Sequence, residues 1–136
     1  MRILIIDDDP AIRLLLSTYL KPYGTCVEAE HGEAGIQIFT NGLAQQQPFG
    51  LVCLDIQMPG LDGHATLSCL RAFEAGFDRL GQAGARILMA TVRDTPSDVL
   101  AAFREQAEGY LVKPVDPQQL RAQLEAQGVK PQLSGG

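Results

Sequence analysis

Four short apolar segments of this chain are each followed by a polar residue that can bind metal or phosphate. Each segment has three or four consecutive apolar residues, which is typical of a strand buried on both faces of a parallel sheet. The segments are residues 3–6, 51–54, 87–90 and 110–112, followed by Asp7 and Asp8, by Asp55, by Thr91 and by Lys113. Because function sits at the carboxyl ends of such strands, we predict that these side chains converge on one edge of a sheet.

The length and composition are those of one globular domain. The 136 residues are 46% hydrophobic and 20% charged, which suffices for a single core. The formal net charge of −5 disfavours direct binding to nucleic acid or to an anionic membrane, so we expect a protein or small anionic partner. No leader-like segment opens the sequence, and no apolar run approaches the roughly 20 residues of a membrane span, so we expect a cytoplasmic location.

Three helix starts are indicated by a capping side chain that precedes a proline. Asp9, Thr95 and Asp116 stand in this position, which favours an N-cap followed by proline at the first helical residue. We predict helices over about 10–20, 32–41, 63 to 73–77, 97–106 and 117–126, a polar edge strand over 25–29, and a polar connection over 42–48. The repeated alternation of strand and helix predicts a three-layer α/β domain.

The cysteines and histidines give no sign of a site of their own. Cys26, Cys53 and Cys69 are odd in number and lack metal-binding spacing, so we interpret them as reduced structural residues. His31 and His64 fall in turn-like contexts without ligand spacing between them. We expect each of them to be solvated or locally hydrogen bonded.

The residues at the strand ends form a chemically coherent set. Asp7, Asp8 and Asp55 would repel one another in a partly desolvated cleft unless a cation lay between them. Mg²⁺ is the expected ion, because it binds a few carboxylate and carbonyl oxygens and keeps room for a phosphate oxygen. One carboxylate could then attack phosphorus. Thr91 and Lys113 would neutralise and hydrogen bond the phosphoryl oxygens.

The motifs around these residues resemble the receiver domain of bacterial two-component response regulators. They are Ile5-Ile6-Asp7-Asp8-Asp9, the run from Leu54 to Gly63 (LDIQMPGLDG), Met89-Ala90-Thr91 and Tyr110-Leu111-Val112-Lys113-Pro114. The resemblance covers residues 1–127 and leaves 128–136 as a C-terminal tail whose composition is compatible with disorder. It implies a flavodoxin-like, doubly wound α/β fold, with a five-stranded parallel sheet in the order 2-1-3-4-5 and helices on both faces.

The resemblance also implies the role of each acidic residue. Asp55 matches the phosphorylated aspartate of the family, and Asp7 and Asp8 match its metal-binding pair. The backbone carbonyl of Gln57 would complete the protein ligands of a Mg²⁺ ion, for which Mn²⁺ is an alternative.

For the other strand ends, the resemblance implies that Thr91 and Lys113 contact the phosphoryl group. Tyr110 matches the aromatic residue that reorients on activation, and Lys113-Pro114 matches a cis peptide. Val92 departs from the family, in which the residue after the switch threonine is usually small. Access of water or of a partner to the phosphoryl group is therefore expected to differ here.

The resulting hypothesis is a stand-alone receiver similar to chemotaxis regulators. It would accept a phosphoryl group from a histidine kinase or phosphotransfer domain and would then change its surface for a downstream protein. It would catalyse its own phosphorylation and dephosphorylation without being an enzyme in the ordinary sense. The alternatives are a fragment of a larger regulator, a scaffold that is never phosphorylated, and a phosphatase of the haloacid dehalogenase type. Gln57 disfavours the phosphatase, because such enzymes carry an acidic residue at that position.

Overall fold

Five short segments form a single parallel sheet in the computed structural model, which describes residues 1–77, 84–92, 96–97 and 106–132. The strands are β1 (Arg2–Ile6), β2 (Thr25–Ala29), β3 (Leu51–Asp55), β4 (Arg86–Val92) and β5 (Gly109–Lys113). They lie in the order β2-β1-β3-β4-β5, and every neighbouring pair is parallel. The predicted doubly wound fold is confirmed. The polar strand β2 lies at an edge, where one side of a strand meets solvent.

Helices cover both faces of the sheet. Within the described residues they are α1 (Pro10–Leu20), α2 (Gly32–Ala44), α3 (Gly63–Phe77) and α4 (Pro117–Ala126), with a short 3₁₀ helix at Lys21–Tyr23. The helix predicted over 97–106 lies outside the described residues except at its two ends, and so does its predicted cap, Thr95. None of the helices in the described ranges is long and apolar enough to cross a membrane.

A side-chain cap begins each of these four α-helices, and at α3 the carboxylate of Asp62 accepts a hydrogen bond of 2.9 Å from the Ala65 N–H. The carboxylate of Asp9 accepts a hydrogen bond from the Ala11 N–H at 2.9 Å, and that of Asp116 accepts one from the Gln119 N–H at 2.7 Å. Both predicted caps are confirmed. His31 begins α2 in the same way, because its Nδ1 accepts from the Ala34 N–H at 3.1 Å. This contact agrees with the expectation that His31 is locally hydrogen bonded.

The end of α2 differs from the prediction, which placed it at Asn41. The helix continues to Ala44, so Gly42 lies within its last turn. A side chain at Gly42 would meet the Gln47 carbonyl oxygen at 2.7 Å and the Phe49 ring at 3.3 Å. The glycine therefore lets the returning chain pack closely against the helix, and it does not stop the helix.

The core consists of two clusters, one on each face of the sheet. Leu4 and Ile6 of β1 face α2 and α3, while Ile3 and Ile5 face α1 and α4. This alternation follows from the two-residue period of a strand. Burial raises the pKa of the Cys53 thiol to about 12, so it stays protonated. All three cysteines are free, as predicted, although Cys26 and Cys69 are only partly buried.

The chain after α4 returns to the protein. Gly128 adopts a positive φ of 74°, the left-handed conformation with which glycine commonly ends a helix. Val129 is buried in the cluster that α1 and α4 share. The Gln132 N–H donates a hydrogen bond of 2.8 Å to the Pro22 carbonyl oxygen. Residues 133–136 lie outside the described part of the chain.

Candidate functional site

The carboxyl edge of the sheet brings together the acidic residues predicted from the sequence. Asp7 follows β1 and Asp55 ends the neighbouring strand β3, and both side chains are buried. Asp8 is exposed at the start of the turn into α1. Each of the three carboxylates offers one oxygen such that the three atoms lie within 4.8 Å of one another. They form a cluster small enough to share a single cation.

Lys113 bridges two of these carboxylates. It ends β5, and its long side chain reaches past β4 to the acidic cluster. Its Nζ lies 3.1 Å from Asp7 Oδ2 and 3.1 Å from Asp55 Oδ1. The Lys113–Pro114 peptide bond is cis, as the sequence motif implied. The ammonium therefore supplies positive charge at the point where two buried carboxylates approach each other.

Hydrogen bonds hold Asp7 through its backbone N–H and through one of its carboxylate oxygens. Its N–H donates to the Ala29 carbonyl oxygen at 3.1 Å, and its Oδ1 accepts from the Asp9 N–H at 2.9 Å. Its Oδ2 is buried and lies 3.1 Å from Lys113 Nζ as an ion pair, without a hydrogen-bond partner among the described residues. A buried carboxylate oxygen in that condition is well suited to bind a cation.

Asp55 is positioned by the loop that follows it. Its Oδ1 accepts a hydrogen bond of 3.1 Å from the Gln57 N–H. The side chain of Gln57 is exposed, so the backbone of this residue is the part that meets the site. Its carbonyl oxygen as a metal ligand stays a prediction.

Gly63 lies directly against the backbone of Asp55. Its N–H donates to the Ile56 carbonyl oxygen at 2.9 Å. A Cβ at this position would lie 2.5 Å from the Asp55 carbonyl oxygen and 2.6 Å from the Ile56 Cα, distances that force the backbone to move. In the sequence, Asp62-Gly63 is a dipeptide typical of a turn. The requirement for glycine comes from a tertiary approach that the turn pattern does not reveal.

The electrostatics of the cluster favour a bound cation. Burial, together with the charge of Asp7, raises the pKa of Asp55 from 3.8 to about 6 despite the opposing contribution of Lys113. Burial on its own lowers the pKa of Lys113, but the hydrogen bond and charge of Asp55 and the charge of Asp7 outweigh it, and the net change is upward. Lys113 is therefore an ammonium at neutral pH. It compensates the negative charge of the cluster only in part.

Thr91 and Tyr110 lie on neighbouring strands and face the same side of the sheet. Tyr110 pairs with Met89 in the register of β4 and β5, and Thr91 is two residues after Met89. Side chains two residues apart share one face. Thr91 is buried, and its hydroxyl donates to the Val92 carbonyl oxygen at 3.2 Å. Tyr110 is half-buried against the cluster under α2 and α3.

Arg13 is a residue beside the site that the sequence analysis missed. It lies on α1, and its Nη1 donates a hydrogen bond of 2.7 Å to the backbone carbonyl oxygen of Asp7. Its Nε forms an ion pair of 3.3 Å with Glu28 of β2. A single arginine in an amphipathic helix gives no sign of such contacts. Arg13 stands six residues after Asp7, and only the folded turn brings the two together.

Comparison with known proteins shows the family of this chain. A family profile described as "Response regulator receiver domain" matches residues 3–125. The chain belongs to this family, whose members occur in two-component response regulators and in histidine kinases. The sheet order and the acidic cluster agree with that membership.

Particular relatives resemble the chain over most of its length. It is 34% identical to the sensor protein GacS of Pseudomonas syringae pv. syringae over 120 residues, which are 88% of this chain and 12% of GacS. It is 35% identical to the nitrate/nitrite response regulator protein NarL of Escherichia coli over 121 residues, 87% of this chain and 50% of NarL. The structure of chemotaxis protein CheY4 of Vibrio cholerae has a TM-score of 0.71 and 25% identity, covering 95% of this chain and 98% of CheY4. The chain spans half or less of the length of each of these two sequence relatives.

Proposed function

We propose that Asp55 accepts a phosphoryl group from a histidine kinase or phosphotransfer domain, and that this switches a protein-binding surface. The observation that carries the proposal is the shared geometry of the cluster. The buried Asp7 and Asp55 both lie 3.1 Å from the ammonium of Lys113, with Asp8 beside them. Family membership supports the same reaction class. A merely structural ion pair would not need three carboxylates at one point.

Asp55 is the proposed nucleophile. A carboxylate oxygen attacks phosphorus and a P–O bond forms, while the bond between phosphorus and the imidazole nitrogen of the donor breaks. The electron pair stays on that nitrogen, and the imidazole, which carries a proton on its other nitrogen, leaves as a neutral ring. A pKa of about 6 leaves Asp55 mostly ionised at neutral pH. Attack of water on the same phosphorus would release phosphate, so the domain would catalyse both reactions on itself.

Asp7, Asp8, Asp55 and the carbonyl oxygen of Gln57 are the residues that would hold Mg²⁺, or Mn²⁺ in its place. The three carboxylates and the buried Asp7 Oδ2 without a hydrogen-bond partner fit a hard, oxygen-binding cation. When bound, such an ion neutralises charge on phosphoryl oxygens and orients them for in-line transfer. Asp7 would be the most rigid ligand, because its backbone and Oδ1 are already hydrogen bonded.

Lys113 and Thr91 would bind the phosphoryl oxygens. The Lys113 ammonium already lies 3.1 Å from Asp55 Oδ1, so it can follow the negative charge from the carboxylate to the transferred group. Thr91 would turn its hydroxyl away from the Val92 carbonyl oxygen and toward the phosphoryl group. Such a movement would vacate space for the Tyr110 ring on the same face of the sheet, which couples the site to the surface.

The output of this switch is proposed to be a protein–protein contact. The acidic net charge of −5 favours a protein partner over nucleic acid or membrane, and a histidine kinase partner would place the domain in the cytoplasm. The surface would include the end of β4, β5 and α4, because Thr91 and Tyr110 lie on these strands and α4 follows them.

Incubation with Mg²⁺ and acetyl phosphate tests the phosphoacceptor. We expect intact-mass spectrometry to detect one added phosphoryl group in the wild type and none in Asp55→Asn. Asp62→Asn is the matched control, because Asp62 is a nearby carboxylate whose Oδ1 accepts a hydrogen bond from the Ala65 N–H at the start of α3. It should be labelled normally. Undiminished labelling of Asp55→Asn, or equal labelling in EDTA, would contradict the proposal.

Beryllium fluoride, which mimics a phosphoryl group without turnover, tests the switch. Amide chemical shifts should change beyond the site, within residues 91–122, and these distant changes should shrink in Thr91→Ala although it still binds the ligand. Thr18→Ala is the control, because its exposed hydroxyl donates to the Leu14 carbonyl oxygen within α1. Shift changes confined to the neighbourhood of Asp55 in the wild type would show that the site is not coupled to that surface.

A further inference from the structure

We infer that Arg13 is a positioning residue that holds the β1–α1 turn in the shape required for cation binding by Asp7 and Asp8. The inference rests on the proposed function, because it concerns the same cation. Arg13 touches neither carboxylate. Its Nη1 donates to the main-chain carbonyl oxygen of Asp7 at 2.7 Å, so it acts on the acidic pair through the backbone.

The hydrogen bond of Arg13 completes the anchoring of Asp7. The N–H of Asp7 is tied to Ala29 of β2, and its Oδ1 is tied to the N–H of Asp9. The remaining backbone group of Asp7 is its carbonyl oxygen, which accepts a hydrogen bond from the charged guanidinium of Arg13. Rotation of the peptide between Asp7 and Asp8 would break that bond, so Arg13 restrains the direction in which both side chains leave the turn.

Arg13 is itself anchored from the other side. Its Nε pairs with Glu28 at 3.3 Å, and Glu28 lies on the edge strand β2, opposite Ile5 of β1. The planar guanidinium can hold Glu28 and the Asp7 carbonyl oxygen at once, which an ammonium cannot do with the same geometry. The side chain of Arg13 is only 16% exposed. Helix α1, strand β2 and the turn are therefore joined at one group.

Two effects of Arg13 on cation binding have opposite signs. Its positive charge repels a cation, so a purely electrostatic role predicts tighter binding when the charge is removed. Its hydrogen bond to Asp7 orders the ligands, so a positioning role predicts weaker binding. The ion pair with Glu28 offsets much of the charge. We therefore expect positioning to dominate, with a loss of about tenfold, at the lower end of the effects of removing an outer-shell partner.

Titration of the full chain with Mg²⁺, followed by amide chemical shifts and without a phosphodonor, tests this inference. Arg13→Met should raise the Kd for Mg²⁺ about tenfold, and Arg13→Lys should recover part of the loss because its ammonium can still reach the carbonyl oxygen. Arg121→Met removes an equal charge from an exposed position on α4 and should leave the Kd unchanged. Amide hydrogen exchange at Asp7 and Asp9 should also be faster in Arg13→Met.

An unchanged or lower Kd in Arg13→Met would overturn the positioning role. So would a Kd in Arg13→Lys equal to that in Arg13→Met, because the conservative variant keeps a charged donor. These outcomes are distinct from failure of the proposed function. A wild type that binds Mg²⁺ and is labelled on Asp55, beside an Arg13→Met variant of equal affinity, would remove only the role of Arg13.

Discussion

Replacing Asp55 with Asn should stabilise the metal-free protein at neutral pH, although it removes a contact with Lys113. The pKa of Asp55 is raised from 3.8 to about 6, so ionisation of this carboxyl is less favourable in the folded than in the unfolded protein. A shift of one pKa unit corresponds to about 1.4 kcal/mol. The shift of Asp55 therefore sets an upper limit of about 3 kcal/mol on the stabilisation by Asp55→Asn. Water that reaches the partly exposed Lys113 screens these charges, so we expect Asp55→Asn to raise the free energy of unfolding by about 1–2 kcal/mol.

The dependence of this gain on pH follows from the direction of the pKa shift. Between about pH 4 and 6 the folded state of the wild type binds more protons at Asp55 than the unfolded state does. The contribution of Asp55 to stability is therefore fully present below pH 3.8 and is lost as the pH rises through about 6. The advantage of Asp55→Asn should be small near pH 4, should grow up to about pH 6, and should then level off.

Urea unfolding in EDTA at several pH values measures this difference. Asp62→Asn is again the matched control, and its stability should not follow the same pH profile. If Asp55→Asn were less stable than the wild type at pH 7.5, or if its advantage were the same at pH 4.5 and pH 7.5, the charge repulsion inferred for the site would be wrong.

Two further substitutions test how the site is built. Asp8→Asn should stabilise the apo protein by about 1 kcal/mol and reduce the stabilisation gained from Mg²⁺. Urea unfolding with and without Mg²⁺ measures both effects. If the variant were less stable than the wild type without Mg²⁺ and still gained normally from the ion, Asp8 would be excluded as a ligand. Gly63→Ala should cost about 1–3 kcal/mol, because its Cβ would lie 2.5 Å from the Asp55 carbonyl oxygen. In the same urea assay the control is Gly76→Ala in the helix α3, where the added Cβ meets no atom of the described residues within 4 Å outside the adjacent helix backbone. This substitution should stabilise the protein by about 0.5–1 kcal/mol. Equal costs for the two substitutions would refute the close approach.

The sheet and the acidic cluster could be predicted because their signals are local. Continuous apolar runs mark strands buried on both faces, and the residue at the end of each run lies at the carboxyl edge whatever the details of packing. The prolines after Asp9 and Asp116 likewise fixed two helix starts from single dipeptides. Each of these features is determined by residues that are adjacent in the sequence.

The features that could not be predicted depend on contacts between distant segments. The predicted polar connection begins at Gly42, but this residue lies within α2 because Phe49 and the chain before it return against the helix. Strand β4 continues through Val92 because Val92 pairs with Lys113 of β5, which places Thr91 within the strand. Arg13 was missed for the same reason, since its partners become neighbours only when the turn after β1 and the edge strand are in place.

Locating the phosphorylated residue tests the central proposal most directly. Borohydride reduces the acyl phosphate of an aspartate to homoserine, and peptide mass spectrometry of the protein treated with acetyl phosphate and Mg²⁺ then identifies the position. We predict homoserine at position 55 alone, and none when Mg²⁺ is replaced by EDTA. Homoserine at position 7, 8 or 62, or none at all in the presence of Mg²⁺, would contradict the assignment of Asp55 as the phosphoacceptor.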